Sequence, residues 1–479
     1  MMRVQDQAVL DANAAALGVP RKQLMESSGN AVARVVREVA EPGDAVEIVA
    51  GRGNNGGDAF VTARFLTEFE VTVHLLGRAE TITTDIAREN WAALQRAEVD
   101  AREVRDSTGL ELDDPDVIVD AMLGTGVTGA LREPEGTAAE AMNEADATVV
   151  AVDVPSGVDA DTGEAAGAAV DADRVVTFHD DKPGLADLAA DVTVADIGIP
   201  EAAELFVERG DLLRLSRAPQ SHKGDHGEVL VIGGGPYTGA PALSAQAAFR
   251  AGADLVRVAC PSSIAREVQS YSEGIIVRPF TGDLLEPGHV DQLLDRAVEH
   301  DVVILGPGLG NAKGSLEAVE EFLGEFDGRA VVDADALQVV PDVDTDATLL
   351  CTPHQGELRK MGGETDDDWR ERAALVSDFA ADLDATLLVK GAYDVVSDGE
   401  TTRVNRTGNP GMTVGGTGDV LAGAAGALAA TQAPVDAAAI AAYANGRAGD
   451  IVVEDRGHGL VATDLVDALP TALWGEGDA

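Results

Sequence analysis

The segment TGNPGMTVGGTGDVLAG (407–423) brings together residue types that handle phosphate. Gly415, Gly416, Thr417 and Gly418 make a glycine-rich turn directly ahead of an alanine-rich stretch with helical character. Backbone N–H groups in such a turn cradle a phosphoryl group, and the positive end of the following helix adds to the attraction. Asp419 falls in the first turn of that helix, where a carboxylate can accept a hydroxyl proton while the amides stabilise the transferring group. Its bland alternative is helix capping, worth about 1 kcal/mol; the glycines on both sides favour catalysis. Other loops end apolar strands in the same half. They are GPGLG (306–310), with Gly308 and Gly310, DADAL (333–337), and TPHQGE (352–357), with His354 and Glu357. A last one, KGAYD, consists of Lys390, Gly391, Ala392, Tyr393 and Asp394. Lys390 closes a strand, where its cation can meet nucleotide phosphates, and Glu357 can help a magnesium ion. No G-x-x-x-x-G-K-[ST] element exists, which excludes the classical P-loop fold.

The first half carries a second constellation. NNGGD (Asn54, Asn55, Gly56, Gly57, Asp58) stands between a strand pattern and a helix pattern, so its glycines and the helix start can receive an anion. The run Gly124, Thr125, Gly126, Val127, Thr128, Gly129 fits G-x-G-x-x-G, and Ala130 follows. Pro134 and Gly136 interrupt any helix straight after it, so the motif does not make a dinucleotide site on its own. DVPSG (153–157) ends the next strand with a carboxylate, a proline turn and a hydroxyl. Asn55, Asp120 and Ser156 then offer three hard oxygen ligands, suited to a cation beside a pyrophosphate. Asp153 and Lys182 can form an acid/base pair. Lys182 carries weight because the chain has only six lysines.

These loops must be held by an alternation of short strands and helices. In the first half the strand patterns are 46–51, 71–76, 117–123, 148–154, 173–177 and 191–197, with helical patterns at 58–68, 85–98 and 137–145. Such alternation implies a mostly parallel sheet covered on both faces, with ligands at the carboxyl ends of its strands. The second half restarts the pattern with strands at 227–235, 254–259, 301–308, 330–332, 348–351 and 386–389. Its helical patterns lie at 240–251, 416–430 and 435–453. The polar stretch 205–221 places a boundary near residue 215, giving domains 1–215 and 216–479. The expected fold class is α/β: a Rossmann-like three-layer sandwich followed by a second α/β domain.

Composition bounds the partners. With 479 residues, 35 Lys and Arg and 84 Asp and Glu, the formal net charge is −49, which excludes a nucleic-acid binder working through a basic surface. Cys260 and Cys351 are too few for a disulfide scaffold or a thiolate zinc site. The apolar run 420–430 falls short of the ~18 residues of a membrane span. The start MMRVQDQAVL lacks a signal-peptide core, so a cytoplasmic location is expected. Acid spread along the whole chain points to a salt-loaded cytoplasm such as a halophile's, where ~1 M salt cuts the Debye length to about 3 Å.

On these motifs, most of 11–199 resembles the NAD(P)H-hydrate epimerase family, including a helical arm with LMESSG (24–29). Ala59, Ser27 and Ser28 depart from that family's usual residues. The resemblance implies that residues 54–58, residues 124–130 and Asp153 bind the hydrated dinucleotide, and that Asn55, Asp120 and Ser156 hold potassium. From about 221 onward the chain resembles the ribokinase-like fold and, within it, the ADP-dependent NAD(P)H-hydrate dehydratase family, with HKGDHG (222–227) and GGGPYTGAP (233–241). This implies that Ala253, Gly308, Gly310, His354 and Asp419 contact the substrate. It also implies that residues 390–394 and Gly418 contact the adenine nucleotide, with ADP as donor. One chain would then epimerise hydrated NADH and NADPH and dehydrate the S form, as a homo-oligomer without nucleic acid or membrane partners. Two other readings stay open here. One is an ordinary ribokinase-like small-molecule kinase; the other makes the first half a noncatalytic binding module.

Overall fold

Short runs of Val, Ile, Leu and Ala, bounded by glycine and acidic turns, become the strands of two sheets in the computed structural model, which describes residues 4–106, 109–126 and 129–475. Contacts divide the chain into two units, Met1–Ala203 and Glu204–Ala479.

In the first unit the strands are β1 (Ala45–Ala50), β2 (Glu70–Leu76), β3 (Asp100–Val104), β4 (Val117–Ala121), β5 (Thr148–Val152), β6 (Arg174–Phe178) and β7 (Asp191–Ala195). They pair in the order β3-β2-β1-β4-β5-β6-β7, parallel throughout. Strand side chains alternate between faces, so β1 sends Ile48 to one core and Val49 to the other. Helices α1 (Val4–Ala16), α2 (Arg21–Val39), α3 (Asn54–Phe65) and α4 (Asp85–Arg96) cover the first face. Helix α5 (Glu135–Glu144) lies on the second. This is a three-layer sandwich. Because β1 has β2 on one side and β4 on the other, the strand order reverses between β1 and β4, the place where such sheets bind ligands.

The second unit repeats the plan. Its strands are β8 (Glu228–Ile232), β9 (Leu255–Ala259), β10 (Ile276–Val277), β11 (Val302–Leu305), β12 (Arg329–Val332), β13 (Thr348–Cys351), β14 (Thr386–Val389), β15 (Asp394–Ser397) and β16 (Thr402–Asn405), in the order β10-β9-β8-β11-β12-β13-β14-β15-β16. Pairing is parallel up to β14 and antiparallel beyond it. Short helix α6 (Glu201–Leu205) spans the junction of the two units. Helix α7 (Gly239–Arg250) follows β8, and α8 (Ala265–Ser270) follows β9. Helices α9 (Val290–Ala297), α10 (Lys313–Glu325), α11 (Gln355–Lys360) and α12 (Trp369–Leu383) bury one core with the sheet. Helices α13 (Thr417–Ala429), α14 (Pro434–Arg456) and α15 (Ala462–Trp474) join α7 on the other face.

The polar stretch that the sequence places ahead of residue 215 is packed within this unit. Phe206 bridges to Val404, and Asp211 accepts a hydrogen bond from the Arg403 guanidinium at 2.9 Å. Among the described residues no helix is long and apolar enough to cross a membrane.

Candidate active sites

In the first unit, the loops after β1, β4 and β5 open onto one cavity of about 590 Å³. The sequence places NNGGD in a loop ahead of a helix beginning at 58; the structure corrects this, since α3 begins at Asn54. The reason is close packing. A Cβ on Gly56 would stand 1.9 Å from the Gly51 carbonyl oxygen, so glycine lets the helix start settle directly on the end of β1. Asn54, Asn55 and Asp58 still line the cavity, whereas Gly56 and Gly57 are buried beneath it. Gly124, Thr125 and Gly126 line it from the end of β4. Gly129 and Ala130 follow that loop without lining the cavity, and Val127 and Thr128 lie outside the described residues.

Asp153 sits just past β5 with φ of 69°, an uncommon conformation for a non-glycine residue, and the Val154 N–H closes a tight turn onto the Val152 carbonyl at 2.9 Å. That turn presents the carboxylate at the cavity wall. Lys182 is 0% exposed. Its ammonium donates to the carbonyls of Phe178 (2.9 Å) and Asp180 (3.1 Å) and lies 3.5 Å from Asp153 Oδ1. A surface lysine is thereby excluded, and the ammonium and the Asp153 carboxylate are held together.

Asp120 and Ser156 also meet. The Ser156 N–H and hydroxyl both donate to the Asp120 carboxylate at 2.7 Å, and the Leu123 carbonyl lies 3.3 Å from the hydroxyl. Burial pushes the Asp120 carboxyl up to about 6. The Asn55 side chain packs at Gly124 beside the same loop, with its Nδ2 buried and unpartnered. A set of oxygens with a single carboxylate suits a monovalent cation.

Sequence reasoning missed Asp11, Arg21 and Arg52, all of which line this cavity. Arg52 stands next to the glycine loop and could have been read from it. Asp11 and Arg21 arrive on the helical arm, which carries no motif around them. The guanidinium groups of Arg21 and Arg52 and the α3 start give a very acidic chain a local place for an anionic ligand.

The second site lies at the carboxyl edge of the second sheet. Gly416 caps α13 with φ of +96°, a conformation that glycine adopts without strain, and the Thr417 hydroxyl donates to the carbonyls of Met412 (3.0 Å) and Val414 (3.2 Å). Gly415 to Gly418 therefore lead into the helix start, with Asp419 in the first turn. Lys390 ends β14 and its ammonium lies 3.1 Å from Asp333 Oδ1 and 3.9 Å from Glu357 Oε2. A Cβ on Gly418 would come within 3.3 Å of that ammonium, so the cation abuts the glycine turn. Burial, helped by the charge of Asp333 and opposed by Lys390, pushes the Asp419 carboxyl up to about 7. The Lys390 ammonium is held above its ordinary range, because Asp333 and Glu357 outweigh the effect of burial.

The remaining expected residues are placed as follows. Gly308 and Gly310 turn at the end of β11 against Tyr237 and Pro236 of the loop after β8. His354 caps α11, its Nδ1 accepting from the N–H of Gly356 at 2.9 Å, and the His354 N–H donates to Glu357 Oε2 at 2.8 Å. Asp394 shapes its own loop by accepting from the Gly391 N–H and the Asn405 amide, both at 2.9 Å. Ala392 is exposed, and Tyr393 stacks on Trp369 with ring centroids 5.4 Å apart. Ala253 is not brought to this edge: it precedes the first residue of β9, at the amino end of the parallel strands.

Comparison with known proteins assigns both units. The family description "NAD(P)H-hydrate dehydratase" matches residues 229–471, and "YjeF-related protein N-terminus" matches residues 21–184. A bifunctional NAD(P)H-hydrate repair enzyme Nnr from Methanothermobacter thermautotrophicus is 44% identical over 99% of this chain and 95% of its own. The chain belongs to the bifunctional NAD(P)H-hydrate repair enzyme family. A second such enzyme, from Archaeoglobus fulgidus, is also 44% identical, covering 98% of this chain and 97% of its own. For the dehydratase-type unit, a ribokinase-like superfamily protein from Enterococcus faecalis aligns with a TM-score of 0.50 and 23% identity. It covers 56% of this chain and 95% of that one, a likeness of fold. In family terms, the cavity around Asp153 and Lys182 belongs to the epimerase domain, and the edge around Asp419 to the dehydratase domain.

Proposed function

We propose that this chain restores hydrated NADH and NADPH to the reduced dinucleotides. Its first unit interconverts the R and S hydrates, and its second unit dehydrates the S form at the expense of ADP, releasing AMP and phosphate. The observation that carries this reading is Asp419: a half-buried carboxyl titrating near neutrality, at a glycine-amide turn against which a lysine cation rests.

A hydrated nicotinamide carries a hydroxyl at C6, and hydroxide is a poor leaving group. Asp419 takes the hydroxyl proton as the oxygen attacks the terminal phosphorus of ADP, and AMP departs. The amides of Gly415, Gly416, Thr417 and Gly418 stabilise the charge on the transferring phosphoryl group, and Lys390 neutralises phosphate beside them. Phosphate then leaves C6, driven by the ring nitrogen's electrons, and loss of the C5 proton restores the double bond. The oxygens of Asp333 and Glu357, completed by the donor's own phosphates, suit magnesium. When bound, that ion offsets charge on the donor. Residues 390–394 receive the adenine nucleotide, and Gly308, Gly310 and His354 remain our assignments for substrate contact.

In the epimerase unit, Asn54, Asn55, Asp58, Gly124, Thr125, Gly126 and Asp153 bind the hydrate. Potassium on Asn55, Asp120 and Ser156 supplies positive charge beside its pyrophosphate. Exchange at C6 requires proton transfer at the C6 oxygens, in which Asp153 takes part while Lys182 holds it. The net charge of −49 fits a protein at work in a salt-loaded cytoplasm such as a halophile's, and a homo-oligomer is our expectation for its assembly. The decisive assay supplies an R/S hydrate mixture with ADP or with ATP. Full recovery of NADH absorbance with release of inorganic phosphate supports both activities. A stop near half leaves only the dehydratase, and a stable phosphate ester would replace this reading with a simple kinase.

A further inference from the structure

Four carboxyl groups from four different elements line the epimerase cavity: Asp11 on α1, Asp58 on α3, Glu135 on α5 and Asp153 after β5. Asp153 is accounted for by Lys182, 3.5 Å away. Asp11 has a built position of its own. The Gln7 amide, one helical turn earlier on α1, donates to Asp11 Oδ1 at 3.1 Å, and both residues line the cavity. Among the described residues the nearby cations are Lys182, already engaged by Asp153 and two carbonyls, and Arg21 and Arg52, which also line the cavity. The four carboxyls outnumber these three cations, and burial disfavours ionising all of them, so the cluster favours keeping a proton.

Resting on the epimerase reading above, we propose that Asp11 is a further catalytic acid of the first unit: it protonates the C6 oxygen of the hydrated nicotinamide as that oxygen departs. The step balances. The Asp11 carboxyl gives its proton to the C6 hydroxyl, the C6–O bond breaks, and water leaves while the ring-nitrogen lone pair forms a C6=N bond. Water adds to the other face of C6, the C=N electrons return to nitrogen, and the added water's proton goes to Asp153. In the reverse direction the two carboxyls exchange roles. The departing and the arriving oxygen lie on opposite faces of C6, so the two stages call for one group on each face.

The electrostatics of α1, α2, α3 and the end of β5 agree with this assignment. Burial raises the Asp11 carboxyl above its ordinary value and the charge of Asp153 adds to it, while the Gln7 hydrogen bond, Arg21 and Lys182 pull the other way. Asp58, driven higher still by burial and by its two acidic neighbours, contributes no compensating cation.

The test follows purified R hydrate in ¹⁸O-labelled water with the full-length chain and no ADP. The wild type should form S hydrate and place the label at C6 at matching rates. Asp11→Asn should lower kcat for both by about 10²–10⁴-fold with KM nearly unchanged. Asp11→Glu should restore part of the rate, and added formate should accelerate Asp11→Gly by supplying the missing acid. S-hydrate dehydration with ADP should be unaffected in all of them. Wild-type kcat in Asp11→Asn, a loss confined to KM, or no response of Asp11→Gly to formate would overturn the proposal while leaving the epimerase reading intact. A wild type that forms no S hydrate would instead remove the reading on which it depends.

Discussion

The Lys390 ammonium stands 3.1 Å from Asp333 Oδ1 and lies against Gly418, in the first turn of the helix that carries Asp419. This places a cation, an anchoring carboxylate and the Asp419 carboxyl at one helix start. Asp333 is itself fixed by the Thr352 hydroxyl, which donates to Oδ1 at 2.8 Å.

A pH dependence follows. Asp419 titrates at about 7 and must be ionised to act as a base, so the dehydration rate should rise through neutrality and level off above it. Removing the Asp333 charge in Asp333→Asn should move that rise to lower pH, because a like charge no longer opposes ionisation. Rate–pH profiles of the two proteins with S hydrate and ADP check the sign; a shift to higher pH would contradict it.

Lys182 makes a separate prediction for the first unit. Lys182→Met leaves the Phe178 and Asp180 carbonyls without their donor and Asp153 without its cation. A cost of about 3 kcal/mol is expected in denaturant unfolding of that unit, with epimerase activity lost and S-hydrate dehydration retained.

Gly56→Ala tests the packing of α3. Its Cβ would meet the Gly51 carbonyl at 1.9 Å, so the helix start must move away from β1. Destabilisation of about 1–3 kcal/mol or more is expected, with a higher KM for the R hydrate. Thermal melting and epimerase kinetics measure both.

The charge of −49 predicts that melting temperature rises steeply between ~0.1 M and ~1 M salt, as the Debye length falls from about 10 to 3 Å. Sodium and potassium chloride should act alike on stability, whereas epimerase activity should prefer potassium. A flat melting curve would remove the halophile reading.

Much of this was legible in the sequence, for identifiable reasons. Buried parallel strands such as Val302–Leu305 and Thr386–Val389 are apolar on both faces and announce themselves as runs. Strand β3, DAREV, was missed because an edge strand carries charge. The β15 and β16 hairpin is made of four-residue strands, DVVS and TRVN, whose mixed polar and apolar residues do not stand out as runs. Lys182 was found through the rarity of lysine, but its complete burial follows only from the fold. Asp11 was invisible as a site residue because nothing in a helical arm tells which of its polar residues will face a cavity formed by strands far along the chain. The start of α3 was misplaced for a similar reason: consecutive glycines read as a loop until the close approach of Gly51 is known.

The most direct measurement is kcat for S-hydrate dehydration with ADP in Asp419→Asn, alongside its melting temperature. We predict a loss of about 10²–10⁴-fold with folding unchanged, since the amide preserves shape and removes only the base. An amide variant that regenerates NADH at the wild-type rate would contradict the account.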